Sequence, residues 1–207
     1  MGDHLVCSGV GGEVYTKGNC SARVVCLDRS TGALVWTQRT GIQIQSTPAA
    51  GASTLYVGDY DNCLYAFRAH DGEHLWKSCT EGRLESSPHV ATLRGEDEET
   101  VLVGSGDGSM YAFFGSNGTK RWATKLGPPV GTFTATGGVG STPNVLGDTV
   151  YVGGPDSLWA LNATNGAAVW RYEVPSKKMV GSSPIISADE KAIFVGSEGG
   201  YAFKLSI

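Results

Sequence analysis

The chain has 207 residues, enough for one or two domains whose apolar core needs no metal or disulfide staple. With 30 glycines and only 17% charged residues, below the roughly 25% usual for soluble domains, its composition disfavours disorder, coiled coil and helical bundle. A net charge of −4 provides no basic field to neutralise phosphates, which sets nucleic acid aside as a partner, and no apolar run approaches the ~18 residues of a membrane span.

In chain order the sequence falls into five similar units. The first, about residues 4–40, opens on a poor first (A) strand at His4-Leu5-Val6-Cys7 and closes through Asp28 and Gly32 to Trp36. The second, about 46–80, runs through Thr47-Pro48, Val57-Gly58, Leu64-Tyr65-Ala66-Phe67 and Gly72 to Trp76. The third, about 85–126, repeats this as Ser87-Pro88, Val103-Gly104, Met110-Tyr111-Ala112-Phe113, Gly118 and Trp122. The fourth, about 141–174, has Thr142-Pro143, Val152-Gly153, Leu158-Trp159-Ala160-Leu161, Gly166 and Trp170. The fifth, about 181–207, has Ser183-Pro184, Val195-Gly196 and Tyr201-Ala202-Phe203, and lacks the closing Gly-x-x-x-Trp. Trp-to-Trp spacings of 40, 46 and 48 mark a supersecondary repeat.

Each apolar run is too short to sustain a helical period, is rich in Val, Tyr, Leu and Phe, and is bounded by Gly, Asp and Asn, so it reads as a strand. Asp-Gly pairs such as Asp71-Gly72 and Asp107-Gly108 supply the positive φ of tight turns. Four antiparallel strands per unit predict an all-β propeller of about five blades, with strands A near Ser/Thr-Pro, B to Val-Gly, C at Tyr-Ala-Phe and D through Trp. The units either close a small ring, with residues 4–8 on the outer edge of the last blade, or form part of a larger propeller. About 41 residues per unit accounts for the whole chain, which favours closure.

Alternating strand direction places B–C and D–A connections on one face and A–B and C–D connections on the other. From Trp122 to Pro143 is 21 residues against 12 in the first two repeats, which inserts a D–A loop over 127–140. On the B–C face it is either a plain surface excursion or a recognition loop carrying Phe133, Thr134 and Thr136. From Pro88 to Gly104 is 16 residues against 10, inserting the acidic A–B stretch 94–99 on the opposite face, read as a solvated turn.

Asp59, Asp61, Asp107, Asp156 and Glu198 fall in B–C turns, which repeat geometry brings toward one face. Their oxygen chemistry suits calcium or magnesium, although aspartate is also the ordinary turn residue, and they are weak metal candidates. The histidines at 4, 70, 74 and 89 form no zinc spacing, and no nucleophile elbow, metalloprotease helix or phosphate loop occurs. Five cysteines is an odd count. If the second C–D hairpin turns about His70-Asp71, opposed residues sum to about 141 or 142. Cys63 then faces Cys79, as a disulfide or as two thiols. Cys26 takes the place of Ala66, Ala112 and Ala160, which predicts a buried core thiol. Sequons at Asn19, Asn117 and Asn162, together with the cysteines, lean toward an extracytoplasmic home.

The strand, Val-Gly, Asp-Gly, Tyr-Ala, Thr-Gly, Trp, Ser-Pro order resembles the PQQ-like repeat of quinoprotein-type β-propellers. Residues 28–36, Asp-Arg-Ser-Thr-Gly-Ala-Leu-Val-Trp, match the family's tryptophan-docking segment most fully. At the aspartate position the later units have Arg68, Phe114 and Asn162. The resemblance implies that Trp36, Trp76, Trp122 and Trp170, with Gly32, Gly72, Gly118 and Gly166, have structural roles, each indole lying against the next blade with its nitrogen toward a carbonyl. It also implies a calcium-anchored quinone in catalytic members. The vicinal cysteine pair that usually accompanies that cofactor is absent here, so neither cofactor nor catalytic residue is expected. The expected function is therefore a non-catalytic module that binds a protein partner or larger assembly through loops on one face. The alternatives are a small-ligand or carbohydrate-binding propeller and a piece of a quinoprotein dehydrogenase.

Overall fold

The computed structural model describes residues 5–10, 22–129 and 138–207, and these form five antiparallel sheets whose strands lie side by side in chain order. Blade 1 contains β1 (Leu5–Val10), β2 (Arg23–Asp28) and β3 (Leu34–Arg39). Blade 2 contains β4 (Ala49–Ala50), β5 (Thr54–Gly58), β6 (Cys63–Arg68) and β7 (His74–Cys79). Blade 3 contains β8 (His89–Thr92), β9 (Glu99–Gly104), β10 (Ser109–Phe114) and β11 (Lys120–Lys125). Blade 4 contains β12 (Asn144–Leu146), β13 (Thr149–Gly153), β14 (Ser157–Asn162) and β15 (Ala168–Glu173). Blade 5 contains β16 (Ile185–Ile186), β17 (Ala192–Ser197) and β18 (Tyr201–Ser206). No helix occurs among the described residues.

The middle strands of blades 2, 3 and 4 are buried on both faces because each of these sheets is sandwiched between two others. All five residues of β5 are buried, as are the first five of β6 and the last five of β9. The outer strands β3, β7 and β11 bury only their tryptophan: in β7, His74 and Leu75 are exposed and Trp76 is buried. One apolar layer therefore forms per blade interface. Val24, Cys26 and Trp36 pack on Leu55, Val57 and Phe67; Tyr56, Leu64 and Trp76 on Val101, Val103 and Phe113; and Met110 and Trp122 on Val150, Val152 and Leu161.

A β-bulge recurs at one place in four blades. Cys26, Ala66, Ala112 and Ala160 face Trp36, Trp76, Trp122 and Trp170, and the register then slips by one residue. The extra residues, Val35, Leu75, Arg121 and Val169, precede the tryptophans, and the local kink turns each indole toward the next blade. In blade 2 both register sums coexist, Cys63 opposite Cys79 before the slip and Phe67 opposite His74 after it.

The structure corrects the sequence reading at both ends. Residues 5–10 are not an A strand, nor do they lie on the outer edge of the last blade: β1 pairs with β2 and occupies the B position. Gly9 is packed under Ile44 as Gly58 is under Leu84, so Ser8-Gly9 stands where the other blades have Val-Gly. In blade 5 the resemblance of Tyr201-Ala202-Phe203 to Tyr65-Ala66-Phe67 is displaced by two residues. Phe203, not Tyr201, faces Val195 as Tyr65 faces Val57. An even slip keeps every side chain on its own face, so the alternation that identified the strand could not fix its register. Among the described residues, no strand pairing joins the first sheet to the last.

Cys7 lies directly opposite Cys26, and the two sulfurs are bonded, so Cys26 is a half-cystine and not the expected free core thiol. The reason is β1's B-strand position, which brings Cys7 to the rung that Tyr56 occupies opposite Ala66 in blade 2. A second disulfide joins Cys63 to Cys79. These close spans of 19 and 16 residues. Reducing either is expected to cost about 3 kcal/mol, read as a lower denaturant midpoint in reductant, and the unreduced denatured chain should titrate with one thiol.

Candidate functional site

The blades are locked by a contact that repeats every 40 or so residues. The indole nitrogens of Trp36, Trp76 and Trp122 each donate at 2.9 Å to a carbonyl of the next blade, those of Ala69, Gly115 and Ala163. The rings lie on Gly72, Gly118 and Gly166, all with φ between +71° and +76°, where an added Cβ would come within 2.5–2.6 Å of the indole Cε3. Gly32 has the same φ, +71°, with no described atom near it, and Trp170 is half-buried against Tyr151. Asp28 caps its turn by accepting from the amides and hydroxyls of Ser30 and Thr31, which hold its carboxyl down to about 2. Asn162 accepts from the amides of Thr164 and Asn165, whereas Arg68 pairs with Asp71 and Glu73 and Phe114 lies under the Arg121 guanidinium.

The inner strands are tied by the hydroxyls of the Ser/Thr-Pro segments, whose bonding role the sequence reading had missed. Ser46 both donates to and accepts from the backbone of Gly58, and Ser182 does so with Gly196. Ser86 donates to the Ser141 carbonyl, and Ser141 to that of Ser182, which links blades 3, 4 and 5 around the axis.

The five turn carboxylates do not converge. Asp59 is fully buried and accepts five hydrogen bonds, from Thr40 Oγ1 and the amides of Gly41, Ile42, Gln43 and Asp61 at 2.7–3.2 Å, fastening the D–A loop of blade 1 to the B–C turn of blade 2. Asp61 and Asp107 are equivalent to each other: each accepts the phenol four residues on, Tyr65 at 2.6 Å and Tyr111 at 2.8 Å, and the amide two residues on. Asp61 also holds Lys77 at 2.8 Å. Burial raises the Asp107 carboxyl, but the hydrogen bonds from Tyr111, Ser109 and Ser105 outweigh it and leave the group below the usual range. Asp156 pairs with Arg171 at 2.9 Å, whereas Asp59, Asp107 and Glu198 have no ion pair among the described residues. No group of three or more His, Cys, Asp or Glu placed to hold a metal occurs among the described residues. With Asp59, Asp61, Asp107 and Asp156 each taken up by its own partners, these dispersed carboxylates do not fit a calcium-anchored quinone.

Where the B–C and D–A loops meet near the axis, the Tyr60 hydroxyl lies 2.6 Å from Gln45 Oε1 and 2.9 Å from Glu85 Oε1. Arg83 pairs with Glu85 at 2.6 Å and lies over the Tyr60 ring at 5.2 Å. Burial, and then the Glu85 carboxylate, push the Tyr60 phenol up to about 12, so it stays a neutral donor. Beside this network an open hollow of about 520 Å³ is lined by Glu85, Met179, Ser182, Ser197, Glu198 and glycines 140, 181 and 196. Phe133, Thr134 and Thr136 lie outside the described residues. The base of their loop is pinched by the Gly138 amide donating to the Pro128 carbonyl at 3.0 Å.

On the opposite face, the acidic stretch is not simply a solvated turn. Glu96 grips Arg121 through both oxygens, and Glu99 accepts from the Ala52 amide at 2.6 Å and the Tyr56 hydroxyl at 3.1 Å, tying blade 3 to blade 2. The Asn117 and Asn162 side chains cap their own turns by accepting from the amides of Thr119 and Thr164.

Several known proteins share this architecture. BamB of Nitrosomonas eutropha, an outer membrane protein assembly factor, is 28% identical over 153 residues, or 73% of this chain and 35% of its own length. The crystal structure of BamB from Moraxella catarrhalis superposes with a TM-score of 0.73 at 18% identity, covering 97% of this chain and 61% of that one. The quinohemoprotein alcohol dehydrogenase of Comamonas testosteroni superposes at 0.70 with 17% identity over 98% of this chain and 43% of its own, which shows a shared fold. The chain thus spans about a third of its curated relative's length. A family model described as outer membrane protein assembly factor BamB matches residues 2–133 and 129–207. With the repeated tryptophan docks and the antiparallel blades, that match over nearly the whole sequence places the chain in the BamB-type family of PQQ-like repeat β-propellers.

Proposed function

We propose that this chain is a non-catalytic interaction module that presents the face of its B–C and D–A loops to a protein partner in an extracytoplasmic assembly. One observation carries the reading: Asp59, Asp107 and the Gln45–Tyr60–Glu85–Arg83 network spend their polar groups on holding loops of neighbouring blades in place, which builds a rigid platform. Preformed loops on a stiff scaffold bind at low ordering cost. The relatives named as assembly factors support a protein partner, and two disulfides support an oxidising compartment.

Site-specific photo-cross-linking in the source cells tests it, with p-benzoylphenylalanine placed at position 45 on this face or at position 117 in a C–D turn of the other. A discrete protein adduct from position 45 and none from 117 is expected. No adduct from 45, or the same adduct from both, overturns the reading.

A further inference from the structure

The position before each Ser-(Ser/Thr)-Pro segment sits at the axial mouth, and its occupant changes along the arc. Gln45 and Glu85 fill it with side chains that reach the Tyr60 hydroxyl, whereas positions 140 and 181 hold glycine. A Cβ on Gly140 would lie 3.3 Å from the Met179 methyl and 3.9 Å from Glu85 Oε2; one on Gly181 would lie 3.5 Å from the same methyl and 3.8 Å from Glu198 Oε1. The Met179 thioether therefore lies over two glycines, with one carboxylate on either side. The Glu198 amide donates to the Met179 carbonyl at 3.0 Å, which holds that carboxylate and the thioether in register.

The charges are unbalanced. Arg83 compensates Glu85 at 2.6 Å, Glu198 has no ion pair among the described residues, and the nearby Lys177 is directed to Glu173 at 3.8 Å. A hard metal ion would need six to eight oxygens, and two carboxylates beside a thioether and backbone carbon do not supply them. A cation that carries its own aliphatic stem matches all three features: the stem packs on the adaptable thioether over the glycines, and the charged end meets the carboxylates. The chain's net charge of −4 adds attraction at longer range.

We infer that this hollow is the recognition pocket for a lysine or arginine side chain on an extended basic segment of the partner. The inference rests on the proposed interaction face and names the chemistry of what docks there.

The test is fluorescence anisotropy with the full chain and two labelled twelve-residue peptides, one lysine- and arginine-rich and one with those residues exchanged for glutamate. The basic peptide is expected to bind and the acidic one not to. Glu198→Gln should weaken binding about tenfold. Gly181→Leu should abolish it without any change of charge, and both variants should keep the parent's melting temperature within a few degrees. Gly181 does not have a positive φ and has no close backbone neighbour, so the larger side chain fills the hollow without backbone strain. Equal binding of the two peptides, no binding of either, or full binding by Gly181→Leu overturns the proposal. The cross-link from position 45 separates the two readings: an adduct that persists undiminished in Gly181→Leu keeps the face and removes this pocket, and its absence in the parent removes the face as well.

Discussion

Gly118→Ala is expected to destabilise the protein by about 2–5 kcal/mol, and Gly32→Ala by only about 1–2 kcal/mol, although both glycines have φ of +71°. The left-handed backbone penalty of an L-residue is common to both. Only at Gly118 would the new Cβ also lie 2.5 Å from Trp76 Cε3 and 2.6 Å from Ser78 Oγ, so that the indole must leave its dock or the blades must part. Removing the other half of the contact should show the same asymmetry. Trp76→Ala should cost about 3–5 kcal/mol, because it opens a cavity between blades 2 and 3. Trp76→Phe should cost less, about 1–3 kcal/mol, because much of the ring packing survives while the Gly115 carbonyl loses its indole donor. Denaturant midpoints at unchanged slope measure all four variants. Equal losses for the two glycine variants would show that backbone conformation, and not the indole contact, determines the requirement.

Asp59 gives the second large effect. Oδ1 accepts the amides of Ile42, Gln43 and Asp61, and Oδ2 accepts the Gly41 amide and the Thr40 hydroxyl. In Asp59→Asn the amide group can replace Oδ2, where the Thr40 hydroxyl can rotate to accept but the Gly41 amide loses its partner; the expected cost is about 2–3 kcal/mol. In Asp59→Ala four backbone amides lose their acceptor at once, and about 4–5 kcal/mol is expected. Asp156→Asn breaks a pair in which both side chains are more than a third exposed, and should cost under about 1 kcal/mol. Limited proteolysis over residues 40–43, with denaturant midpoints, distinguishes these outcomes. A mild Asp59→Ala would mean that water satisfies those amides and that the turn does not anchor the loop.

Much of the fold was legible because its signals are local. Val-Gly, Asp-Gly and Gly-x-x-x-Trp each lie within a few residues, and the requirement for positive φ at Gly72, Gly118 and Gly166 is written in the turn itself. The site was less legible. Asp59, Asp61, Asp107 and Asp156 look alike in sequence, yet one is a five-donor anchor, two clamp a tyrosine four residues on, and one is an exposed ion pair. A signal for the tyrosine clamps was present as Asp-x-x-x-Tyr in two repeats. For Asp59 none was available, because four of its five donors lie 16 to 19 residues away on another blade. The inner-strand serines were visible only as neighbours of proline, and their partners lie up to 55 residues on.

By itself, the sequence determined the strand class, the division into repeated units and the positions of the tight turns, since all three follow from short-range spacing and backbone preference. Tertiary structure alone decided that Cys7 meets Cys26, that the last blade's motif is displaced by two residues, and that glycines at 140 and 181 open a hollow between Glu85 and Glu198. The physical reason is shared by all three. A strand's period of two cannot register an even shift, and a side chain's environment is set by whichever residue some 40 positions away the neighbouring blade brings against it.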